Sequence, residues 1–279
     1  MRIGLCDRRQ RNAADRPVLG SSPRMTGVVG AAKPRLGLIG FGAFGRLTAR
    51  HLSPWFDILA HDPGANDGAR VATLTDLATA AACPTVILAV PVEALEATLI
   101  AIRPDLAPGA LVIDVGSVKV KPAQAMDDLL PPGVRIVGTH PLFGPQSGKD
   151  GIAGLRIAVC EVRGLSDARR VAAFCRLALG LKVFLVSPED HDREAAVVQG
   201  LTHLIARVLM AMEPVPTRMT TASFDRLMQA VDMVRHDSPA VFRAIERDNP
   251  FAAEVRERFF ALADQARGEA EEDGDVEGG

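Results

Sequence analysis

Arg35-Leu36-Gly37-Leu38-Ile39-Gly40-Phe41-Gly42-Ala43-Phe44-Gly45 runs directly into Arg46-Leu47-Thr48-Ala49-Arg50-His51-Leu52. A short apolar run ends in Gly-x-Gly-x-x-Gly and is followed by residues with helical spacing. That order of strand, glycine turn and helix is what binding a dinucleotide pyrophosphate requires. Gly40 is expected to allow the tight turn. Gly42, flanked by Phe41, Ala43 and Phe44, lets the backbone approach the phosphates, and Gly45 lets the helix pack close to the strand. The helix N-terminus then turns unpaired N–H groups and a partial positive charge toward the anion.

A second feature sharpens this reading. Phe56-Asp57-Ile58-Leu59-Ala60-His61-Asp62 is an apolar strand ending in an acid, and Asp62 stands 22 positions after Gly40. The carboxylate that holds an adenosine ribose is expected about 20 residues on. Such a carboxylate accepts from the ribose 2′-OH and repels a 2′-phosphate, so NAD is expected over NADP. Asp62 also reads as a turn former before Pro63-Gly64.

The chain has 279 residues, 48% apolar and 24% charged, with a formal net charge of −2. This is an ordinary globular composition, long enough for about two domains. The near-zero charge gives no nucleic-acid footprint and no electrostatic membrane anchor. Cys6, Cys83, Cys160 and Cys175 are scattered without a C-x-x-C pair. They read as free thiols of a reducing cytoplasm, with neither disulfide nor metal site expected. Residues 1–33 hold six arginines and no sustained apolar period, and read as a disordered tail, with Met25 an alternative start. No stretch is expected to reach the length of a membrane span. Gly268 to Gly279 reads as a disordered acidic tail.

Between these ends, buried-type strands alternate with amphipathic helices. Strands are expected at Thr85–Val90, Leu111–Val115, Val134–Gly138, Leu155–Cys160 and Lys182–Val186. Helices are expected at Thr75–Ala81, Val92–Ile102, about Lys121–Leu130 and about Ser166–Leu179. The pattern predicts an α/β fold, a doubly wound Rossmann-type sheet over 34–186. Ser187-Pro188-Glu189-Asp190 is a helix start, with a hydroxyl cap, proline in the first turn and acids facing the dipole. From there the pattern is helical, predicting a smaller all-α domain over 187–267. With about 80 residues its core is thin, which favours burial against a second copy, a homodimer.

Ligands of such sheets sit beyond the carboxyl ends of the strands. There lie Val90-Pro91, then Asp114-Val115-Gly116-Ser117-Val118-Lys119, then Gly138-Thr139-His140-Pro141-Leu142-Phe143-Gly144-Pro145. Val90 and Pro91 would line the nicotinamide side by backbone contact. The other two loops bring a hydroxyl, an amine and an imidazole to the same rim. Imidazole suits general-base work because its unperturbed pKa is near neutral.

The strings Asp114–Lys119 and Thr139–Gly148, with His191-Asp192 and His203, resemble the prephenate/arogenate dehydrogenase family of tyrosine biosynthesis, over about Arg35 to Asp264. The resemblance implies oxidation of a ring carbinol of a cyclohexadiene acid with loss of carbon dioxide. It implies His140 as the catalytic histidine, Ser117 beside it as a catalytic hydrogen-bonding partner, and His203 as a catalytic residue that contacts the substrate, with a satisfied core histidine the alternative for His203. Thr139 and Gln199 are further candidates for substrate contact. Lys119 is a candidate for a phosphate or carboxylate, or a solvated lysine. His191 is left between positioning its helix and a solvated turn. The family's carboxylate-binding arginine falls at Met233, so Arg235 or Arg226 would have to substitute, and prephenate and arogenate both stay open. Competing expectations are a dehydrogenase of the 3-hydroxyacid type and a non-catalytic NAD-binding module.

Overall fold

The computed structural model describes residues 32–216 and 218–275. The expectations for residues 1–31, including Cys6 and the alternative start at Met25, lie outside the described residues, as do residues 276–279. Eight strands form one sheet: β1 (Arg35–Ile39), β2 (Asp57–His61), β3 (Thr73–Leu74), β4 (Thr85–Leu88), β5 (Leu111–Asp114), β6 (Arg135–Pro141), β7 (Arg156–Arg163) and β8 (Lys182–Val186). Their order is β3-β2-β1-β4-β5-β6-β7-β8. Neighbours are parallel from β3 to β6, as the alternating pattern predicts. Then β7 runs antiparallel to β6, and β8 parallel to β7. The link between β6 and β7 holds turns in place of a crossover helix, so the chain comes back antiparallel.

Five helices connect the strands: α1 (Ala43–Leu52), α2 (Leu77–Ala81), α3 (Leu95–Ile102), α4 (Val120–Leu129) and α5 (Leu165–Leu177). The continuous apolar runs of the central strands feed two cores, because successive side chains leave opposite faces. Val86, Leu88, Val112 and Ile136 pack with Leu99, Ile102 and Met126 of α3 and α4. Ile87, Ile113 and Val137 pack on the other face with Ala49 and Leu52 of α1 and Ala168 and Ala172 of α5. Cys83, Cys160 and Cys175 are free and buried. Burial pushes the Cys160 thiol up to about 12, so it stays neutral.

Strands stop at Val186 and the helix start follows at once. The Ser187 hydroxyl accepts the Asp190 N–H at 3.0 Å, with Pro188 in the first turn. The helices are α6 (Pro188–Ala195), a wide π turn at Ala196–Gly200, α7 (Leu201–Ala211), α8 (Ala222–Val234), α9 (Pro239–Arg243), a second π turn at Ala244–Asp248, and α10 (Ala252–Asp275). Ion pairs cross to the sheet portion: Arg243 with Glu93 at 3.0 Å and Lys121 with Asp248 at 2.9 Å.

Two expectations need correction. Pro188–Ala211 is 24 residues with a mean hydropathy of 1.2, long and apolar enough by length and composition to cross a membrane. Its first two turns hold Glu189-Asp190-His191-Asp192-Arg193-Glu194, and His191 and Asp192 are buried against polar partners, so its length alone is a poor guide. The acidic tail expected from Gly268 is helical through Asp275. Ala, Glu, Gln and Arg are strong helix formers that outweigh the two glycines, Gly268 and Gly274. The Gln265 amide also donates to Glu269 at 3.0 Å, one turn on.

A Cβ on Gly45 would run into the Gly40 carbonyl oxygen, whereas one on Gly42 meets nothing within 4 Å. Gly45→Ala should therefore destabilise by about 1–3 kcal/mol through forced backbone movement. Gly42→Ala should leave Tm nearly unchanged. Thermal unfolding of the two variants checks this contrast.

Candidate active site

The order of the sheet sets where a site can form. The chain reverses its progress between β1 and β4, and the crevice outside the carboxyl ends of these strands is the binding position in open α/β sheets. Gly40, just past β1, holds φ at +94° beside the Ala89 carbonyl, a left-handed turn that suits glycine. Gly42 and Ala43 are exposed, Phe44 is half-buried, and Phe41 is buried as an anchor for the turn. Gly42 is the N-cap of α1. No side chain caps the helix there and no acid sits in its first turn. The first N–H groups of α1 therefore keep their capacity for an anion. This cradle fits a dinucleotide pyrophosphate.

Asp62 follows β2 and does two things at once. Its Oδ2 accepts the Phe41 N–H at 2.7 Å, clamping the glycine turn. Its Oδ1 accepts the Gly64 N–H at 2.8 Å, the turn-forming bond before Pro63-Gly64. Each oxygen keeps a second lone pair for a hydroxyl donor. Val90 and Pro91 stand past β4 at the rim, half-buried and exposed respectively.

The register aligns Leu88, Asp114 and Gly138 across β4, β5 and β6. His140 is two residues beyond Gly138, about 7 Å further along the strand. It is 5% exposed. Its Nδ1 lies 2.8 Å from His191 Nε2, and its Nε2 lies 3.5 Å from the Gln199 amide nitrogen. Burial first, then the neighbouring His191 and Lys119, holds its pKa well below the ordinary imidazole value. The imidazole is therefore neutral at pH 7, the form a base needs.

Behind it lies a fully buried carboxylate. Asp192 accepts from the Lys119 and Val120 backbone N–H groups, at 2.7 and 2.9 Å, where α4 begins. His191 Nδ1 lies 2.7 Å from the same carboxylate. The Asn249 amide donates to the Asp192 carbonyl at 2.8 Å. His191 is thus no solvated turn residue. It is buried between Asp192 and His140.

His203, on α7, is 8% exposed, with Nδ1 at 3.0 Å from the Gln199 carbonyl and Nε2 at 3.1 Å from Asp237. Burial pulls its pKa down most strongly as a single influence. The hydrogen bonds to Asp237 and Gln199, with the nearby acids, outweigh it, and the net shift is upward. Gln199 thereby spans the two imidazoles. Its Oε1, and Glu246 Oε1 beside Gly200, are buried without a partner among the described residues.

Other candidates stand differently. Ser117 is half-buried in the loop past β5, and the bond on the His140 ring comes from His191. Thr139 faces away from the site, since alternation puts it on the sheet face opposite His140. Its hydroxyl donates to the Asp114 carbonyl at 2.8 Å. Lys119 neither awaits a phosphate nor floats in solvent. It is 1% exposed, paired with Asp114 and donating to the Thr139 carbonyl at 2.7 Å. Arg235 is held by Glu213 and Asp232, and Met233 is exposed. Sequence reasoning missed Asp237, Asn249 and Glu246. A signal existed only for Asn249, a polar residue beside Pro250.

Comparison with known proteins follows the same layout. Residues 59–155 match the nucleotide-binding domain of prephenate dehydrogenase, and residues 187–277 match its dimerization domain. Arogenate dehydrogenase 1, chloroplastic, of Arabidopsis thaliana is 33% identical over 154 residues, 53% of this chain and 24% of that protein. The probable arogenate/prephenate dehydrogenase of Methanocaldococcus jannaschii is 26% identical over 182 residues, 62% of this chain and 41% of that protein. The matched stretch is thus under half the length of either relative. Among solved structures, prephenate dehydrogenase from A. aeolicus in complex with hydroxyphenyl propionate and NAD+ superposes with a TM-score of 0.69 at 20% identity. It covers 89% of this chain and 94% of its own. That likeness is one of fold.

The raised His203 pKa has a consequence for stability. A folded-state pKa above the unfolded value of about 6.5 stabilises the fold fully below that pH. The contribution is lost as pH rises through the folded value. Asp237→Asn should lower the His203 pKa and flatten this part of the stability–pH curve. Histidine NMR titration and chemical unfolding at several pH values check it.

Proposed function

Because this chain belongs to the prephenate dehydrogenase family, we propose that it oxidises a cyclohexadienol acid, prephenate or arogenate, with NAD and loss of carbon dioxide. The observation that carries the reading is a buried, neutral imidazole, His140, on the strand rim that the glycine turn also faces. NAD, when bound, would supply the acceptor for the hydride of the carbinol carbon. The chain's part is to position and to move one proton. His140 takes the hydroxyl proton as the carbinol becomes a carbonyl. The bond to the ring carboxylate breaks, its electron pair aromatises the ring, and the new phenolic oxygen recovers a proton. The products are 4-hydroxyphenylpyruvate from prephenate and tyrosine from arogenate.

Gly40, Phe41, Gly42, Ala43, Phe44 and Gly45 would hold the pyrophosphate, with Val90 and Pro91 along the nicotinamide side. Asp62, free to accept a further donor on each oxygen, would face the ribose and disfavour a 2′-phosphate, which supports NAD over NADP. Ser117 contacts the substrate hydroxyl from the neighbouring loop. Gln199 lies against His140, and its unpartnered buried oxygen supports contact with a polar substrate. His203 supplies positive charge on the same wall, with both ring nitrogens held by protein groups. The chain works as a homodimer through its helical portion, which exposes Val198, Val208, Met212, Phe260 and Leu262. The protein acts in the cytoplasm.

Replacing His140 by Asn should lower kcat by about 10²–10⁴-fold, with NAD affinity retained, in an NADH absorbance assay on prephenate and arogenate. Near-normal turnover contradicts the assignment. The base must be unprotonated, so wild-type kcat/KM should persist below pH 6.5 and fall only as pH drops through the depressed His140 value. A decline already centred at the ordinary imidazole value contradicts it.

A further inference from the structure

Hydrogen-bonding roles in the wall behind His140 can be assigned in sequence, starting from groups with no freedom. The Lys119 and Val120 backbone N–H groups only donate, and Asp192 receives them at 2.7 and 2.9 Å. A carboxylate only accepts, so His191, 2.7 Å away through Nδ1, carries its proton on that nitrogen. With that single proton on His191, its Nε2 is a lone pair. It sits 2.8 Å from His140 Nδ1, where two lone pairs would repel. His140 must donate through Nδ1, which leaves its own lone pair on Nε2. On that side the Gln199 amide nitrogen stands at 3.5 Å, at the outer limit of hydrogen bonding and unable to occupy the lone pair firmly.

We infer that His191 and Asp192 are positioning residues, a relay that locks His140 in the Nδ1–H tautomer and presents Nε2 as the basic nitrogen. The inference rests on the reading of His140 as the base and adds two residues that touch neither substrate nor cofactor. The proton accounting is simple. The substrate O–H bond breaks, an Nε2–H bond forms, and no other proton has to move. The His140 imidazolium then donates to His191 in a charge-assisted bond, with the Asp192 carboxylate behind it. The neighbouring Lys119 favours a neutral resting ring, and the Cys160 thiol on β7 carries no charge to oppose it. The sequence pair His191-Asp192 achieves this because consecutive residues at the start of a helix share one end of it. Asp192 reaches the α4 N-terminus while His191 reaches β6.

The test is the protonation pattern of His140, read by nitrogen NMR on histidine-labelled full-length protein at neutral pH, with His140→Asn assigning the signals. The expected result is a protonated Nδ1 and a bare Nε2. His191→Met removes the acceptor, so the tautomer should become mixed and kcat should fall about 10²-fold or more, with KM values little changed. The acid limb of the kcat–pH profile should shift with it. His191→Gln, whose carbonyl can accept from Nδ1–H while its amide donates to Asp192, should recover most of the loss. A wild-type His140 protonated on Nε2 overturns the inference, as does a His191→Met protein with unchanged tautomer and turnover. Normal turnover in His140→Asn instead removes the base assignment, and the NMR result then still reports the hydrogen-bond order of the wall.

Discussion

One buried carboxylate holds the site together. Asp192 is fully buried where the helices begin, and its oxygens take the first backbone N–H groups of α4 and the His191 imidazole. Burying a charge without partners costs several kcal/mol, so these bonds are a condition of folding as well as of geometry. Their consequence is mechanical. The strand rim with the Ser117 loop, the first turn of α6 and, through Asn249, the approach to α10 converge on one residue. His140 is oriented by that convergence.

Much of the fold could be read in the residues, because each local choice agreed with the overall plan. The β-branched runs at Thr85–Val90 and Leu111–Val115 could only be strands buried on both faces, and the two cores divide their side chains accordingly. Gly40 and Gly45 are where backbone meets backbone, and no other residue fits either position. The antiparallel return of β7 was not readable, since strand direction depends on the path of a loop. Nor was the helical continuation past Gly268, where composition suggested disorder but propensity and side-chain bonds along the helix prevailed.

The site was legible as a set of loops, less so as a set of contacts. Asp62 lies just past β2, whereas His140, expected in a loop after Gly138, lies within β6, which runs on to Pro141. Lys119, at the start of α4, and Thr139, on β6, carry the right chemistry but face inward, and for Thr139 a one-residue step along the strand decides the face. The ion pair of Lys119 with Asp114 braces the floor beneath β6. His191 went the other way: a histidine in a helix's first turn carries no sign that a strand 51 residues earlier will meet it. Partners this distant in sequence depend on how the helical portion docks, and the local pattern does not encode that. Arg235 illustrates the same limit, its charge already taken by Glu213 and Asp232.

The proposed chemistry therefore comes down to one neutral nitrogen at the right place, beside a turn that fits a dinucleotide pyrophosphate. A crystal structure of this protein with NAD and a 4-hydroxyphenyl ligand measures that directly. The account predicts the His140 Nε2 within about 2.6–3.2 Å of the ligand's ring oxygen, with Nδ1 still on His191. A His140 ring turned into the interior, or a ligand oxygen out of reach of Nε2 and bonded elsewhere, would contradict it.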